Sequence, residues 1–295
     1  MLDMGRLRAL HAVAAHGSVG AAAEALGFTP SAISQQIAKL ERETRTTLLE
    51  KRGRGVALTD AAQLLVETAG HVLKLVEEAE VTLEELRGAA VGRLCIGSFA
   101  TAARGLMPRV LVELAEEHPA LDVRLLEIDP PEALDAVSRG ELDLAVVHDW
   151  TNTPLPVPDE LSRMKICDDI ADVLIPESNP LADKDVLEPA DLAHERWMCQ
   201  PEGSICHDWL VNTFRAAGIE PNLVYRIGEY QTQFALLAKG IGVALLPRHG
   251  RGVVPDNVRV IPLRPTPTRR LFAVWRTQAS RRPAITAALD VIRRV

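Results

Sequence analysis

At 295 residues the chain exceeds one average domain, and its 47% hydrophobic and 25% charged content is that of an ordinary globular protein. No apolar run approaches the ~18 residues of a membrane helix. No charged-then-apolar segment marks the chain for export, and four scattered cysteines make no disulfide framework, so the cytoplasm is the expected compartment. The net charge of −7 excludes a surface coated for nucleic acid throughout, but the charge is uneven. Residues 1–58 hold eight basic side chains (Arg6, Arg8, Lys39, Arg42, Arg45, Lys51, Arg52, Arg54) and five acidic ones, a net +3 against −10 for the remainder. A basic end on an acidic body fits a nucleic-acid-binding head.

The first helix is predicted from Gly5 to His16, with Leu7, Leu10, Val13 and Ala14 on one face, and Gly17 stops it. Ser18 is placed to cap a second helix through Leu26, whose small face is Ala21, Ala22, Ala25 and Leu26. After Gly27, Thr29-Pro30 supplies a cap and then a proline at the first helical position, where a missing N–H costs nothing. Ile33, Ile37 and Leu40 form the buried stripe of this third helix, opposite Ser31, Ser34, Gln35 and Lys39. Thr46–Leu58, with Arg52-Gly53-Arg54-Gly55, reads as a tight basic hairpin.

One long helix follows, Thr59–Leu86, on which Leu65, Ala69, Val72, Val76, Ala79, Leu83 and Leu86 alternate spacings of four and three. Such a heptad seam either pairs two helices or packs on the protein's own body. The charged flanks Glu67, Glu77, Glu78, Glu84 and Glu85 leave only this narrow stripe to bury and favour pairing. Beyond Gly88 strands and helices alternate, which implies βαβ units around a parallel sheet. The strands are expected at 94–97, 123–128, 142–147, 172–175, 197–200, 224–227, 243–246, 258–262 and 271–275. The helices are expected at 104–117, 132–139, 207–217, 231–239 and 283–294. Two lobes joined near 163–168 and again near 262–269 are the natural division.

Two helices joined by a short turn, the second with a polar face, are the elements of a helix-turn-helix, although an ordinary three-helix bundle shows the same pattern. Ser31, Ser34 and Gln35 suit base edges, and glutamine pairs bidentately with adenine. Lys39, Arg52 and Arg54 suit phosphates, with Ser18, Thr29 and Pro30 framing the recognition helix. The run Ser18-Val19-Gly20-Ala21-Ala22-Ala23-Glu24-Ala25-Leu26, continued by Thr29-Pro30-Ser31-Ala32-Ile33-Ser34-Gln35-Gln36-Ile37 and Leu40-Glu41, resembles the signature of LysR-type transcriptional regulators. Leu48-Leu49-Glu50-Lys51, Leu58-Thr59-Asp60-Ala61 and Gly240-Ile241-Gly242-Val243-Ala244-Leu245-Leu246-Pro247 extend the resemblance along the whole chain. Departures are Pro30-Ser31 for the family's Gln-Pro, Gln35 for its arginine, Gly20-Ala21 for Thr-Arg, and Arg45 for a glycine after the recognition helix.

The resemblance implies an α/β protein with a winged helix-turn-helix (1–58), a linker helix (59–88) and a two-lobed, periplasmic-binding-protein-like effector domain (89–295). Lobe I would span 91–164 and 267–295, and lobe II 165–266. It further implies a homodimer or homotetramer on a pseudo-palindromic site in double-stranded DNA, a small-molecule effector between the lobes, and no membrane, metal or cofactor. Carried over from the family pattern, the effector would meet Ser98, Thr101, His148, Glu202, Gly203, Ser204, Tyr230 and Thr232, each of which also serves as a plausible cap or turn residue.

Cys199 and Cys206 raise a redox-sensing alternative, against which stands the absence of a cysteine after Cys206 to resolve it. Metal binding through Cys199, Cys206 and His207 is disfavoured because adjacent Cys and His do not readily face one ion. A metabolite-binding or transferase-like module with a helical appendage is the other alternative. Catalysis itself has no motif: no glycine-rich phosphate loop, no Gly-x-Ser-x-Gly elbow and no metal-spaced histidine pair. The neighbouring carboxylates Asp168-Asp169 and Glu77-Glu78 read as solvated surface.

Overall fold

A computed structural model describes residues 2–52 and 55–295, apart from the side chains of residues 77, 80 and 87. The chain divides after Gly88 into two compact units. The first consists of α1 (Met4–His16), α2 (Val19–Leu26), α3 (Pro30–Thr44), the strands β1 (Leu49–Arg52) and β2 (Gly55–Leu58), and α4 (Asp60–Arg87). Each helix start has its own cap: Asp3, Ser18, Thr29 and Thr59 accept from the backbone N–H of Arg6, Ala21, Ala32 and Ala62. Gly17, Gly27 and Gly88 close α1, α2 and α4 in the left-handed region, and Arg45 closes α3 there at φ 53°, the position where the resemblance leads one to expect glycine.

Leu7, Leu10, Val13, Ile33, Ile37 and Leu40 fill the core of this unit as expected, with Leu48 added to it, while Ala14 is only half-buried. The buried face of α2 is Ala22 and Ala23, whereas Ala25 is exposed, a rotation of the expected face by about one residue. The wing strands pair antiparallel, Leu49 opposite Leu58 and Arg52 opposite Gly55. Glu41 ties them to α3 by accepting from the N–H of Leu48 (2.8 Å) and Leu49 (3.2 Å).

In the second unit the order is β3 (Gly92–Ser98), α5 (Ala100–Gly105), α6 (Met107–Glu117), β4 (Leu121–Glu127), α7 (Pro130–Ser138), β5 (Leu144–Trp150) and β6 (Leu161–Pro176). It continues with β7 (Arg196–Cys199), α8 (Ile205–Ala216), β8 (Asn222–Arg226), α9 (Tyr230–Leu237), β9 (Val243–Pro247), β10 (Val258–Pro262), β11 (Thr268–Arg276) and α10 (Pro283–Arg294). The expected single helix 104–117 is two, because Gly105 ends one and Pro108 sits in the first turn of the next.

One continuous sheet runs β4-β3-β5-β11-β6-β9-β7-β8, with β10 also on β6. It is mixed rather than parallel. Parallel pairs lie in each half (β3 with β4 and β5; β7 with β8 and β9), while β11 and β6 run antiparallel to each other and to their flanking strands. The chain passes from one half to the other along β6 and returns along β11. The sequence reading found only 172–175 of this 16-residue crossing strand. Its first half carries Arg163, Lys165, Asp168 and Asp169 among half-buried apolar residues and has no apolar run to announce it.

The halves also meet where the loop after β9 lies on α5. A Cβ added at Gly250 would stand 2.0 Å from the carbonyl oxygen of Thr101, and one at Gly105 would stand 2.8 Å from Gly250 itself. With φ at +69°, Gly250 is strained by any other residue. Gly250→Ala is expected to lower stability by at least about 1–2 kcal/mol from the backbone conformation alone, and further from the clash. The measurement is the urea midpoint of the full chain, with the reverse outcome an unchanged midpoint.

Candidate nucleic-acid interface and interlobe cleft

The geometry of α3 follows from its cap. Thr29 Oγ1 accepts from Ala32 N (3.2 Å) and sits 3.0 Å from Ser31 Oγ, and Pro30 opens the helix without a donor to satisfy. Ile33, Ile37 and Leu40 then face the core, and Ser31, Ser34, Gln35 and Lys39 share the exposed side at helical spacing. Arg52 is exposed on the wing, while Arg54 and Gly53 lie outside the described residues. Ser18 is half-buried and committed to capping α2. Sequence reasoning passed over Phe28, 62% exposed in the turn between the helices. Among the other basic groups, Arg6 is paired with Glu43, and Arg42 donates to the carbonyl of Ala38.

Two members of the expected heptad seam are corrected here. Ala69 is fully buried and Leu65 packs against the core of the first unit, so neither is available to a partner helix. Further along α4, Val76, Ala79, Leu83 and Leu86 are exposed, Leu86 by 80%, and Leu75 beside them is exposed as well. Glu78, Glu84 and Glu85 are half-buried rather than fully exposed flanks, and the Glu77 side chain lies outside the description.

In the second unit, Ser98, Thr101 and His148 are all buried, Ser98 at the end of β3, Thr101 on α5 just after it, and His148 near the end of β5. The group that organises them is one the sequence reading missed. Arg269, 1% exposed on β11, pairs with Asp169 on β6 (2.8 Å), donates to Thr101 Oγ1 (3.0 Å) and to the carbonyl of His249 (3.3 Å), and lies over the Phe99 ring (5.2 Å). Asp169 also accepts from the backbone N–H of His249 (3.1 Å). The supposedly solvated pair Asp168-Asp169 is thus divided, with Asp168 exposed beside Lys165 and Asp169 buried.

Around this pair runs an aromatic ladder. Phe99 meets His148 edge-on (4.5 Å between centroids), His148 meets Trp150 (6.3 Å), and Trp150 of β5 stacks on Trp209 of α8 (4.6 Å, 29°). Beyond it lies a small cavity of about 20 Å³, room for one water, bordered by Trp150, Cys206, Trp209, Tyr230 and Gln233 among others. Tyr230 is buried at the start of α9, and burial pushes its phenol well above the ordinary value.

The remaining candidates do other work. Glu202 is exposed and pairs with Arg226 (3.0 Å), and Gly203 beside it is also exposed. Both border an outer groove rather than the small cavity. Ser204 caps α8, accepting from His207 N (3.2 Å) and donating to the carbonyl of Pro201 (2.8 Å). Thr232 is exposed and donates to Glu229, whose carboxylate also accepts from the N–H groups of Gln231 and Thr232. Turn and cap residues share their composition with ligand loops, which is why the sequence did not separate them.

All four cysteines are unbridged. Burial pushes the Cys199 thiol up to about 12 and raises that of Cys206, against the charge of Arg269. Both stay protonated near neutrality and are poor nucleophiles. Among the described residues no cluster of three or more His, Cys, Asp or Glu side chains could hold a metal ion. No described helix is long and apolar enough to cross a membrane.

A capped helix-turn-helix head followed by a two-halved α/β unit with a buried interlobe cluster is the architecture of a ligand-responsive regulator. The comparisons name the class. Residues 4–63 match the model of the bacterial regulatory helix-turn-helix proteins of the lysR family, and residues 87–295 match the LysR substrate binding domain. The chain belongs to the LysR family of transcriptional regulators. It is 30% identical over 296 residues to the probable HTH-type transcriptional regulator LrrA of Synechococcus elongatus, covering 99% of this chain and 97% of that one. Among solved structures, full-length OxyR C199D from Pseudomonas aeruginosa superposes with a TM-score of 0.71 at 22% identity, covering 99% of this chain and 95% of that one. CbnR complexed with its target DNA superposes at 0.55 and 22%, covering 99% of each chain. This membership replaces the reading of a transferase-like module with a helical appendage.

The buried histidine yields a pH prediction. Burial, and then the charge of Arg269, hold His148 well below the ordinary 6.5. The unfolded chain therefore takes up a proton near pH 6.5 that the folded chain refuses, and stability falls as pH drops from there towards the depressed folded value. The loss should reach up to about 1.4 kcal/mol per pH unit from this group. Urea unfolding between pH 7 and pH 5 is expected to show a shallower acid slope for His148→Gln than for the parent, and equal slopes would refute the assignment.

Proposed function

We propose that the chain is a promoter-binding regulator whose α3 enters the major groove of a pseudo-palindromic site, Ser31, Ser34 and Gln35 meeting base edges. Lys39, Arg52 and Arg54 would hold phosphates, beside Ser18, Thr29 and Pro30 at the helix entrances. The observation that carries this is the exposed polar face of α3, held by the Thr29 cap opposite a wholly apolar one. The likeness to CbnR on its target DNA supports it. A small effector bound between lobe I (91–164 and 267–295) and lobe II (165–266) would control the regulator's output, with Ser98, Thr101, His148 and Tyr230 the retained contacts. The protein acts in the cytoplasm by binding rather than by turnover. The raised thiols of Cys199 and Cys206 speak against redox control.

Fluorescence anisotropy on DNA from immediately upstream of the protein's own gene tests the head. Gln35→Ala should weaken specific binding by about 5- to 150-fold, the equivalent of a bidentate base contact, and leave binding to scrambled DNA unchanged. Lys39→Gln and Arg52→Gln should weaken both equally and flatten the salt dependence. Equal affinity of the parent for upstream and scrambled DNA would sink the reading.

Val72, Val76, Ala79, Leu83 and Leu86 form the proposed pairing stripe, giving a dimer and, by pairing of dimers, a tetramer. Leu83→Glu with Leu86→Glu should convert the species seen by analytical ultracentrifugation to monomer, since both side chains are already exposed and the fold does not need them. An unchanged sedimentation coefficient would remove α4 from the interface.

A further inference from the structure

We infer that the effector is an uncharged planar ring bearing a hydrogen-bond donor and an acceptor, taken up between the indoles of Trp150 and Trp209. The inference rests on the cleft being the effector site. Trp150 ends β5 in one half and Trp209 lies on α8 in the other, so their stack is a contact between the lobes. A flat ring that enters there exchanges one indole–indole contact for two ring–indole contacts, a gain in stacking and in apolar area removed from water. The present cavity of about 20 Å³ holds one water, so entry requires the lobes to part.

The polar requirement comes from two atoms left without good partners. Trp150 Nε1 and Gln233 Oε1 are buried (the residues 1% and 2% exposed) and both residues border the same small cavity; Gln233 Oε1 has no hydrogen-bond partner, and the indole N–H faces only the Cys206 sulfur, a weak acceptor. An orphaned buried donor or acceptor costs about 1–3 kcal/mol, which a ligand recovers by offering one acceptor and one donor. The neighbouring His148 Nδ1 is also without a partner.

The charge requirement comes from what is already compensated. Arg269 is matched by Asp169, and Asp149 by Arg270 (2.6 Å). The start of α9, otherwise a natural anion site, is occupied by the protein's own Glu229 carboxylate. Among the described residues the remaining cation at the rim is Arg104, which is exposed and lies over Tyr230 (5.8 Å). At the indoles a carboxylate would give up its hydration with only the exposed, solvated Arg104 at the rim to meet it, and an ammonium with only the exposed Asp129 near Cys206.

The test uses the full chain and three probes of one outline: benzamide, benzoate and benzylamine, each titrated with the melting temperature and tryptophan emission as readouts. Benzamide should stabilise the protein and quench its emission at concentrations at least about ten-fold below either charged probe, equivalent to 1.4 kcal/mol. The stabilisation should vanish in Trp209→Leu, persist in Trp209→Phe, and weaken in Gln233→Met, with circular dichroism confirming that each variant folds. If benzoate or benzylamine matches benzamide and the response still needs Trp209, the cleft remains the effector site and the uncharged class is wrong. If the benzamide response survives Trp209→Leu, the sandwich is wrong. If no probe registers, the inference is wrong, while the cleft reading, which does not require a ring between the indoles, stands.

Discussion

A guanidinium carried into a protein interior must be matched there, because stripping it of water is costly and the loss is recovered only in good geometry. Arg269 is such a group, and its match is written into the strand register. β11 and β6 run antiparallel with Arg269 directly opposite Asp169, so the alignment that builds the crossing ladder also builds the pair. A slip of one residue in either strand would turn its member of the pair to the other face of the sheet. The other bonds of Arg269 reach outwards from this fixed point, to Thr101 on α5 and to the carbonyl of His249 after β9. The Phe99 ring lies beneath the cation, and the same charge adds to burial, the larger cause, in lowering the His148 pKa.

This arrangement separates what stays from what moves. Both members of the ion pair lie on the two strands that cross between the halves, so parting of the lobes leaves it intact. The bonds to Thr101 and His249, the close approach of Gly250 to Thr101, and the Trp150–Trp209 stack lie away from the crossing, and they are the contacts that a parting of the lobes would break. A ligand shifts the balance between closed and open forms only by binding one better than the other. The protein's own indoles occupy the ground a ring would take, so a ring bound there would favour a parted or re-closed state by as much as it binds that state better.

The head was legible because its signals are local. Ser18, Thr29-Pro30 and the glycines at 17 and 27 act within a few residues of themselves, and the apolar stripe Ile33, Ile37 and Leu40 declares the face that must turn inwards. The α/β unit was legible where apolar runs mark buried strands, as in β5 and β9. It was not legible in β6, where a half-buried alternation carries four charges, nor in the resulting antiparallel crossings. The cleft divided along the same line. Ser98, Thr101 and His148 stand where strands end, a position that can be read from sequence. Arg269 and Asp169 are a hundred residues apart within polar stretches, and only the fold reveals that each compensates the other. Glu202, Gly203 and Ser204 stand instead in a surface ion pair, a turn and a helix cap, since caps and turns draw on the same residues as binding loops.

The division of α4 bears on how the proposed regulator would hold DNA. Its first turns are part of the head, with Ala62 and Ala69 closing the core, and only the stretch from Val72 to Leu86 is left for a partner helix. That is about two heptads, short for a stable coiled coil, and its seam holds valine and alanine as well as leucine. A recognition face made of Ser31, Ser34 and Gln35 is likewise weak alone, being uncharged at the bases. The two weaknesses compensate when both heads sit on one duplex, because the first contact raises the effective concentration of the second. Linkage is reciprocal, so DNA tightens the dimer by the factor with which the dimer tightens DNA. With the seam so restricted, half-site spacing would be a condition of binding, and specificity would reside in the paired heads rather than in either one.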